Sequence, residues 1–326
     1  MLDEAIRKAV GNRLQDARQI RILSHMRPDG DAIGSMLGLG LCLTAAGKSV
    51  QMVLADGVSY TFRHLQGADL ITKKPGEKVD LVVSLDCSDL GRLGDVLNDS
   101  GIPEINIDHH ITNTNFGTLN LVDPEAVATA AVLTECLPEW GFPIPPAAAA
   151  ALMNGLVSDS LGFRTSNMNP KALRLAANLM EAGANLPEIY NQALLRRSYT
   201  AARYWGAGLS RMQREDRIVW TSLTLEDRQM VDYNGNDDAD LINILSTIDD
   251  FDIALMFIEQ RGGKVKVSWR SSPGVDVSQL AVSFGGGGHP AAAGAEIVGT
   301  LEEVQQRVLD ATRSTLSCGT IPDNQG

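Results

Sequence analysis

The sequence predicts a two-domain α/β protein, with an N-terminal domain built on a parallel sheet and a smaller C-terminal α/β domain. Three observations predict it. The length, 326 residues, suits about two domains of roughly 100–200 residues each. Apolar runs of strand length alternate with helical segments, the pattern of a parallel sheet covered by helices. After a long helical stretch, that pattern restarts near residue 214.

In chain order, "IRILSH" (20–25) reads as a buried strand and "DAIGSMLGLGLCLTAAGK" (31–48) as a helix ending near Gly47. "SVQMVLAD" (49–56), "VDLVVSLD" (79–86) and "EINIDHH" (104–110) are the next strands. From about residue 126 the chain turns helical, through "AVATAAVLTECLPEWG", "PPAAAAALMNGLVSDSLGF", "NPKALRLAANLMEAGA" and "NLPEIYNQALL". These segments assign residues 1–198 to the first domain, 199–213 to a linker helix and 214–326 to the second domain. The second domain carries strands "RIVWTSL" (217–223), "FDIALMFIE" (251–259) and "KVKVSWRS" (264–271). A helix over "VDVSQLAVSF" then meets "GGGGHPAAAGAEI", and "LEEVQQRVLDATRSTL" closes the fold before a loose tail, "GTIPDNQG".

Composition narrows the function. Hydrophobic residues make up 44% and charged residues 21%, as in a soluble globular protein with a real core. No apolar run approaches the ~18 residues of a membrane span, and the N-terminus has no apolar signal core. Cys42, Cys87, Cys136 and Cys318 are scattered, which fits free thiols in a reducing cytoplasm. The net charge is −12 with no block of lysine or arginine. A protein that grips long nucleic acid usually needs a basic stripe to neutralise phosphates. Phosphate handling here must therefore be local, by metal ions or a small pocket, on a small or short substrate.

Three strands end in polar clusters: His25 to Asp31, Asp86, and Asp108 to His110. In open α/β sheets, ligands bind outside the carboxyl ends of the strands, so these clusters converge. Asp159 adds an acid to an otherwise apolar helical stretch. Each cluster alone has an ordinary reading. "PDGD" is a turn whose Asp31 caps the following helix; Asp86 closes a turn; Asp159 caps the next segment; adjacent histidines arise by chance. That all four are ordinary at once is the weaker reading, because an acid closing a Val/Leu strand is costly unless paired or bound to metal. His25, Asp29, Asp31, Asp86, His109 and Asp159 make a set of two imidazoles and four carboxylates. That set suits Mn²⁺, and less specifically Mg²⁺, Co²⁺, Fe²⁺ or Zn²⁺. Two ions about 3.5–4 Å apart are a known device for phosphoester hydrolysis.

These four segments resemble motifs I to IV of the DHH phosphoesterase superfamily, and "FGGGGHPAAAG" (284–294) resembles the motif of the DHHA1 domain. The two-domain size resembles the NrnA-type enzymes. The resemblance implies a phosphodiesterase that degrades short oligonucleotides (nanoRNA, dinucleotides such as pApA) and dephosphorylates 3′-phosphoadenosine 5′-phosphate, with its active site in the interdomain cleft. It implies one divalent ion held by His25, Asp29 and Asp86, and a second by Asp31, Asp86, His109 and Asp159, with Asp86 shared. Mn²⁺ comes before Mg²⁺ or Co²⁺. The two ions would activate a shared water as nucleophile. By the same resemblance, Asp108 orients a neighbouring histidine and His110 contacts a phosphate oxygen or serves as an acid.

In the second domain, Gly286, Gly287 and Gly288 let backbone N–H groups approach a phosphate; a flexible linker is the plainer reading of the run. Arg270 and Ser271, at a strand end, form a candidate phosphate clamp, and the resemblance gives Arg270 and His289 such roles. A salt-bridged surface arginine is the alternative. Arg164 has a phosphate contact or structural support open to it, and Trp269 a packing role or base stacking. His64 reads as structural and Cys87 as core. The rival readings are a cyclic di-AMP phosphodiesterase, a RecJ-like exonuclease, a family II pyrophosphatase and a catalytically idle nucleotide sensor. The length, the glycine motif and the intact ligand set weigh against the last three. The expected partners are a short oligonucleotide or small nucleotide, with no long duplex and no membrane. A homodimer is left open.

Overall fold

The computed structural model describes residues 3–97, 101–235 and 237–318. The tail expected at 319–326 and the side chain of Cys318 lie outside them. The described residues up to Arg196 form one unit and those from Arg197 a second.

The first unit is organised by six strands: β1 (Gln19–Leu23), β2 (Ser49–Val53), β3 (Ile71–Thr72), β4 (Leu81–Leu85), β5 (Ile105–Asp108) and β6 (Leu119–Val122). They lie in the order β3-β2-β1-β4-β5-β6, and every pairing is parallel. Ile20 and Ile22 of β1, Leu81, Val83 and Leu85 of β4, and Ile105 and Ile107 of β5 join the main core, while Arg21, Ser84 and Asn106 at intervening positions are buried polar residues. After β3 the chain crosses to the other side of β1, so the order reverses between β1 and β4. The carboxyl ends at such a reversal are the usual ligand site of open α/β sheets. His25 follows β1, Asp86 follows β4, and Asp108 ends β5. The two strands that the sequence pattern does not reveal, β3 and β6, are the sheet edges, where the apolar signal is short or interrupted by asparagine.

The helices spanning Gly30–Ala45, Thr129–Glu139 and Pro146–Asp159 complete the frame. The first ends two residues before Gly47, whose φ of +80° suits glycine in a helix-terminating turn. It crosses the Pro146–Asp159 helix at Gly34, where a β-carbon would lie 2.5 Å from the carbonyl oxygen of Ala151. Only glycine permits that approach.

The second unit carries β7 (Gln213–Glu215), β8 (Ile218–Leu223), β9 (Ile253–Gln260), β10 (Lys264–Ser271), β11 (Gly287–His289) and β12 (Ala292–Val298). They form a mixed sheet ordered β11-β12-β10-β9-β8-β7, with β8 and β9 parallel and the other pairs antiparallel. One face buries Leu255, Val267 and Trp269, and the other buries Val219, Ala254 and Met256. The Tyr199–Ser210 helix lies within this unit, where its Gly208 carbonyl accepts from Thr221 of β8. Among the described residues, no helix is long and apolar enough to cross a membrane.

Candidate metal centre

The loop after β1 begins with His25, which is 3% exposed. Its Nδ1 lies 2.8 Å from the carbonyl oxygen of Met26. A carbonyl only accepts, so Nδ1 carries the proton and Nε2 presents its lone pair. That Nε2 lies 3.6 Å from Asp86 Oδ2 and 3.8 Å from Asp29 Oδ2. Asp29, not Asp31, caps the following helix: its Oδ1 accepts from the amides of Asp31 and Ala32, each at 3.0 Å. One oxygen of Asp29 is structural and the other faces His25.

Asp31 sits inside the first helical turn, 1% exposed. Its Oδ1 accepts from Ser35 Oγ and the Ala130 amide, both at 3.0 Å, and its Oδ2 from the Thr129 amide at 2.6 Å. The Thr129–Glu139 helix has Ala128 at its N-cap, and alanine has no side-chain acceptor to offer. Asp31 therefore caps that helix from 98 residues away. Gly155 makes the room: a β-carbon there would lie 2.7 Å from Asp31 Oδ1 and from Ala130 Cβ.

Asp86 follows β4 with a φ of +53°, a left-handed conformation that a non-glycine residue holds at a cost, and one that clusters at functional sites. Its amide donates to the Ile107 carbonyl. Its Oδ1 accepts from Thr129 Oγ1 at 3.1 Å and faces His109 Nε2 at 3.8 Å. Asp159 is the last residue of its helix, with Oδ2 3.4 Å from His109 Nε2. A carboxylate is disfavoured at that end of a helix dipole, so packing has placed it there against its preference. His109 Nδ1 lies 3.2 Å from the Ala126 carbonyl, which turns Nε2 toward the acids.

The electrostatics are those of buried acids and imidazoles packed against one another. Burial raises Asp31 well above the usual carboxylate range, and the Asp86 and Asp159 charges raise it further. Burial likewise pushes Asp159 up to about 7, with His109 opposing and Asp29 and Asp86 adding. His109 rises to about 9: burial pulls it down, but Asp159, Asp86 and Asp31 outweigh that. Burial would raise Asp86 too, yet the surrounding histidines hold it below its ordinary value. A divalent cation bound here would compete with protons for these groups.

Distances fit a cation as well. The N···O separations of 3.4–3.8 Å are too long for hydrogen bonds. Two donors each about 2.0–2.2 Å from one ion stand roughly 3–4 Å apart. Among the described residues, His25 Nε2 is buried with no hydrogen-bond partner, an expensive condition that a cation would relieve. The donors gather as His25, Asp29 and Asp86; as Asp31, His109 and Asp159; and as Asp86, His109 and His110, each group within 4.8 Å.

Asp108 and His110 form a pair beside the cluster, with His110 Nδ1 3.6 Å from Asp86 Oδ1. Asp108 is fully buried, and its Oδ1 accepts from His110 Nδ1 at 2.7 Å and from the His109 amide at 2.8 Å. Asn113 Nδ2 donates to its other oxygen, and Asn106 Nδ2 donates to Asn113 Oδ1. Thr129, Ser35 and Asn113 all bind the acids, and none of the three stands out in the sequence as a site residue. Ser35 had a signal, four residues after Asp31 on one helix. A lone threonine in "AVATAAVL" had none.

The candidates of the second unit lie on neighbouring strands, where Ala292 of β12 pairs with Arg270 of β10 on one side and with His289 of edge strand β11 on the other. Arg270 pairs across the sheet with Ala292, and its guanidinium donates to the Trp269 carbonyl. Burial lowers its pKa, against the charges of Asp238 and Asp240. The Ser271 hydroxyl donates to the Val275 carbonyl at 2.6 Å, with the Pro290 carbonyl 3.2 Å away as the alternative acceptor, which engages it in shaping its own loop. The glycine run forms edge strand β11. Gly286 and Gly288 are needed there, since β-carbons would strike the Gly294 and Ala292 carbonyls, whereas Gly287 faces open space. His289 is exposed. Trp269 is fully buried against Phe284, so base stacking is excluded for it.

Known proteins match both units. The N-terminal domain of the DHH family matches residues 19–156, and the DHHA1 domain matches residues 229–317. The bifunctional oligoribonuclease and PAP phosphatase NrnA of Thermus thermophilus is 33% identical over 301 residues, 91% of this chain and 90% of its own. Among solved structures, an exopolyphosphatase-related protein from Bacteroides fragilis has a TM-score of 0.87 at 25% identity, over 97% of both chains. RecJ of Thermus thermophilus, in complex with Mn²⁺, has a TM-score of 0.52 at 17% identity, over 98% of this chain and 55% of its own. That likeness is one of fold.

Proposed function

The chain belongs to the DHH/DHHA1 family of phosphoesterases, and from that premise we propose that it hydrolyses short oligonucleotides and 3′-phosphoadenosine 5′-phosphate with two divalent ions, Mn²⁺ first. The observation that carries the reading is the convergence of His25, Asp29, Asp31, Asp86, His109 and Asp159 at the strand ends of the first unit. The similarity to the NrnA enzyme over nine-tenths of the chain supports the substrate class.

In this reading His25, Asp29 and Asp86 hold one ion, and Asp31, Asp86, His109 and Asp159 hold the other. Bound there, the ions supply Lewis acidity toward phosphoryl oxygens and lower the pKa of water. The protein's own groups do the rest. Asp29 Oδ1, Asp31 and the Nδ1 atoms of His25 and His109 are tied to the backbone, so the ligand atoms are preorganised. Asp108 accepts the hydrogen bond of His110 Nδ1–H; with the ring doubly protonated, the Nε2–H donates to a phosphate oxygen or passes its proton to the departing ribose oxygen, leaving His110 neutral. The phosphorus–oxygen ester bond breaks as a water oxygen joins phosphorus. A protein with a net charge of −12 gains little from a long polyanion, which favours short substrates.

The test is purified protein with Mn²⁺ against di- to pentanucleotide RNA, pApA, 3′-phosphoadenosine 5′-phosphate and cyclic di-AMP, products separated by chromatography. Mononucleotide release that EDTA stops and Mn²⁺ restores is expected. Protein that binds two manganese ions and leaves the linear substrates intact would remove the reading.

The second unit, in the same reading, recognises substrate through Arg270, His289 and the open Gly287. Arg270→Ala or His289→Ala should slow dinucleotide cleavage by about 10–100-fold, the loss of roughly 1.5–3 kcal/mol from a charged hydrogen bond. Bis-p-nitrophenyl phosphate, which cannot fill such a clamp, should be cleaved almost as before. An equal loss on both substrates would mean that these residues shape the metal centre instead.

A further inference from the structure

We infer that Thr129 is the positioning residue that makes Asp86 a shared ligand and ties the two ion sites together; this rests on the two-ion reading above. Thr129 is fully buried and touches both groups of ligands. Its hydroxyl donates to Asp86 Oδ1 at 3.1 Å, and its amide donates to Asp31 Oδ2 at 2.6 Å. Asp86 stands in the group with His25 and Asp29, and Asp31 in the group with His109 and Asp159.

The hydroxyl is not an ordinary helix cap. Thr129 is the first residue of its helix, one position past the N-cap, and its hydroxyl reaches a strand end 43 residues away. A carboxylate bridges two ions through both of its oxygens when each oxygen faces a different ion. Asp86 Oδ2 faces His25 Nε2 and Oδ1 faces His109 Nε2. A hydroxyl donor on Oδ1 fixes the rotation of the carboxylate plane in that arrangement and leaves a lone pair on the same oxygen for a cation. The hydroxyl can donate to only one acceptor, so its orientation is determined. The amide bond to Asp31 is a backbone bond that side-chain substitution leaves in place. Replacing the hydroxyl therefore unties Asp86 alone.

Partners that orient a metal ligand typically contribute 10–100-fold to metal affinity, by the general behaviour of such outer contacts. Manganese binding without substrate is measured by isothermal titration and by electron paramagnetic resonance, for wild type, Thr129→Val, Thr129→Ala and Thr129→Ser. The expected result is that Val and Ala weaken the second binding event by about 10–100-fold and lose the spin-coupled signal of two manganese ions sharing a carboxylate. Ser, which restores the hydroxyl, should recover both. If the buried Val variant does not fold, the Ala and Ser pair carries the comparison, since they differ by the hydroxyl alone. Wild-type binding and coupling in Val and Ala, or a Ser variant as weak as Ala, would overturn the inference. Wild-type protein that binds fewer than two ions would overturn the two-ion reading instead.

Discussion

Asp86→Ala is expected to abolish turnover and to lower bound manganese from two equivalents to one or none. Among the ligands, Asp86 alone faces both imidazoles, His25 through one oxygen at 3.6 Å and His109 through the other at 3.8 Å. It is 1% exposed, so bulk water cannot replace it easily. Removing it takes a ligand from each ion, and about 4 kcal/mol or more of transition-state stabilisation corresponds to roughly a thousandfold or greater loss of rate. Asp86→Asn keeps the shape and the acceptor for Thr129 but not the charge, and should lose metal nearly as fully. Elemental analysis of the purified proteins alongside a dinucleotide assay checks both. Two full equivalents with near-normal turnover would end the bridging role.

The adjacent histidines should separate cleanly. His109 turns its Nε2 into the cluster of Asp31, Asp86 and Asp159, whereas the Nδ1 of His110 is taken by Asp108. His109→Ala should therefore weaken metal binding beyond the roughly 100-fold upper range of outer partners. His110→Ala should keep both ions and slow catalysis by about 10²–10³-fold, the scale of one lost transition-state hydrogen bond. Asp108 then still accepts from two backbone amides and from Asn113, so its burial stays satisfied. Metal content and rate, measured on the same preparations, decide it. Equal metal loss in the two variants would make His110 a ligand, an arrangement the grouping of Asp86, His109 and His110 also accommodates.

The sequence by itself determined the strands that matter and the clusters at their ends. β1, β4 and β5 place Ile20, Ile22, Leu81, Val83, Leu85, Ile105 and Ile107 in the main core, and burial of that kind is written directly into residue type. β10 was legible to the residue, since "KVKVSWRS" alternates as a half-covered strand does. The polar groups at strand ends were legible because acids and histidines stand out where an apolar run stops.

Only the tertiary structure decided how those groups are held. Asp29 took the cap assigned to Asp31, because the backbone path of the loop sets which carboxylate meets the first amides. Asp31 then capped a helix 98 residues away. Thr129, in an apolar stretch, became a partner of two acids. The glycine run divided into two residues required by strand packing, Gly286 and Gly288, and two facing open space, Gly285 and Gly287. Trp269, beside a candidate substrate residue, went fully into the core. Periodicity records how much of a residue is buried but not which distant group it meets. A hydroxyl or a missing β-carbon has no local signature for a partner brought near only when the sheet and helices have packed.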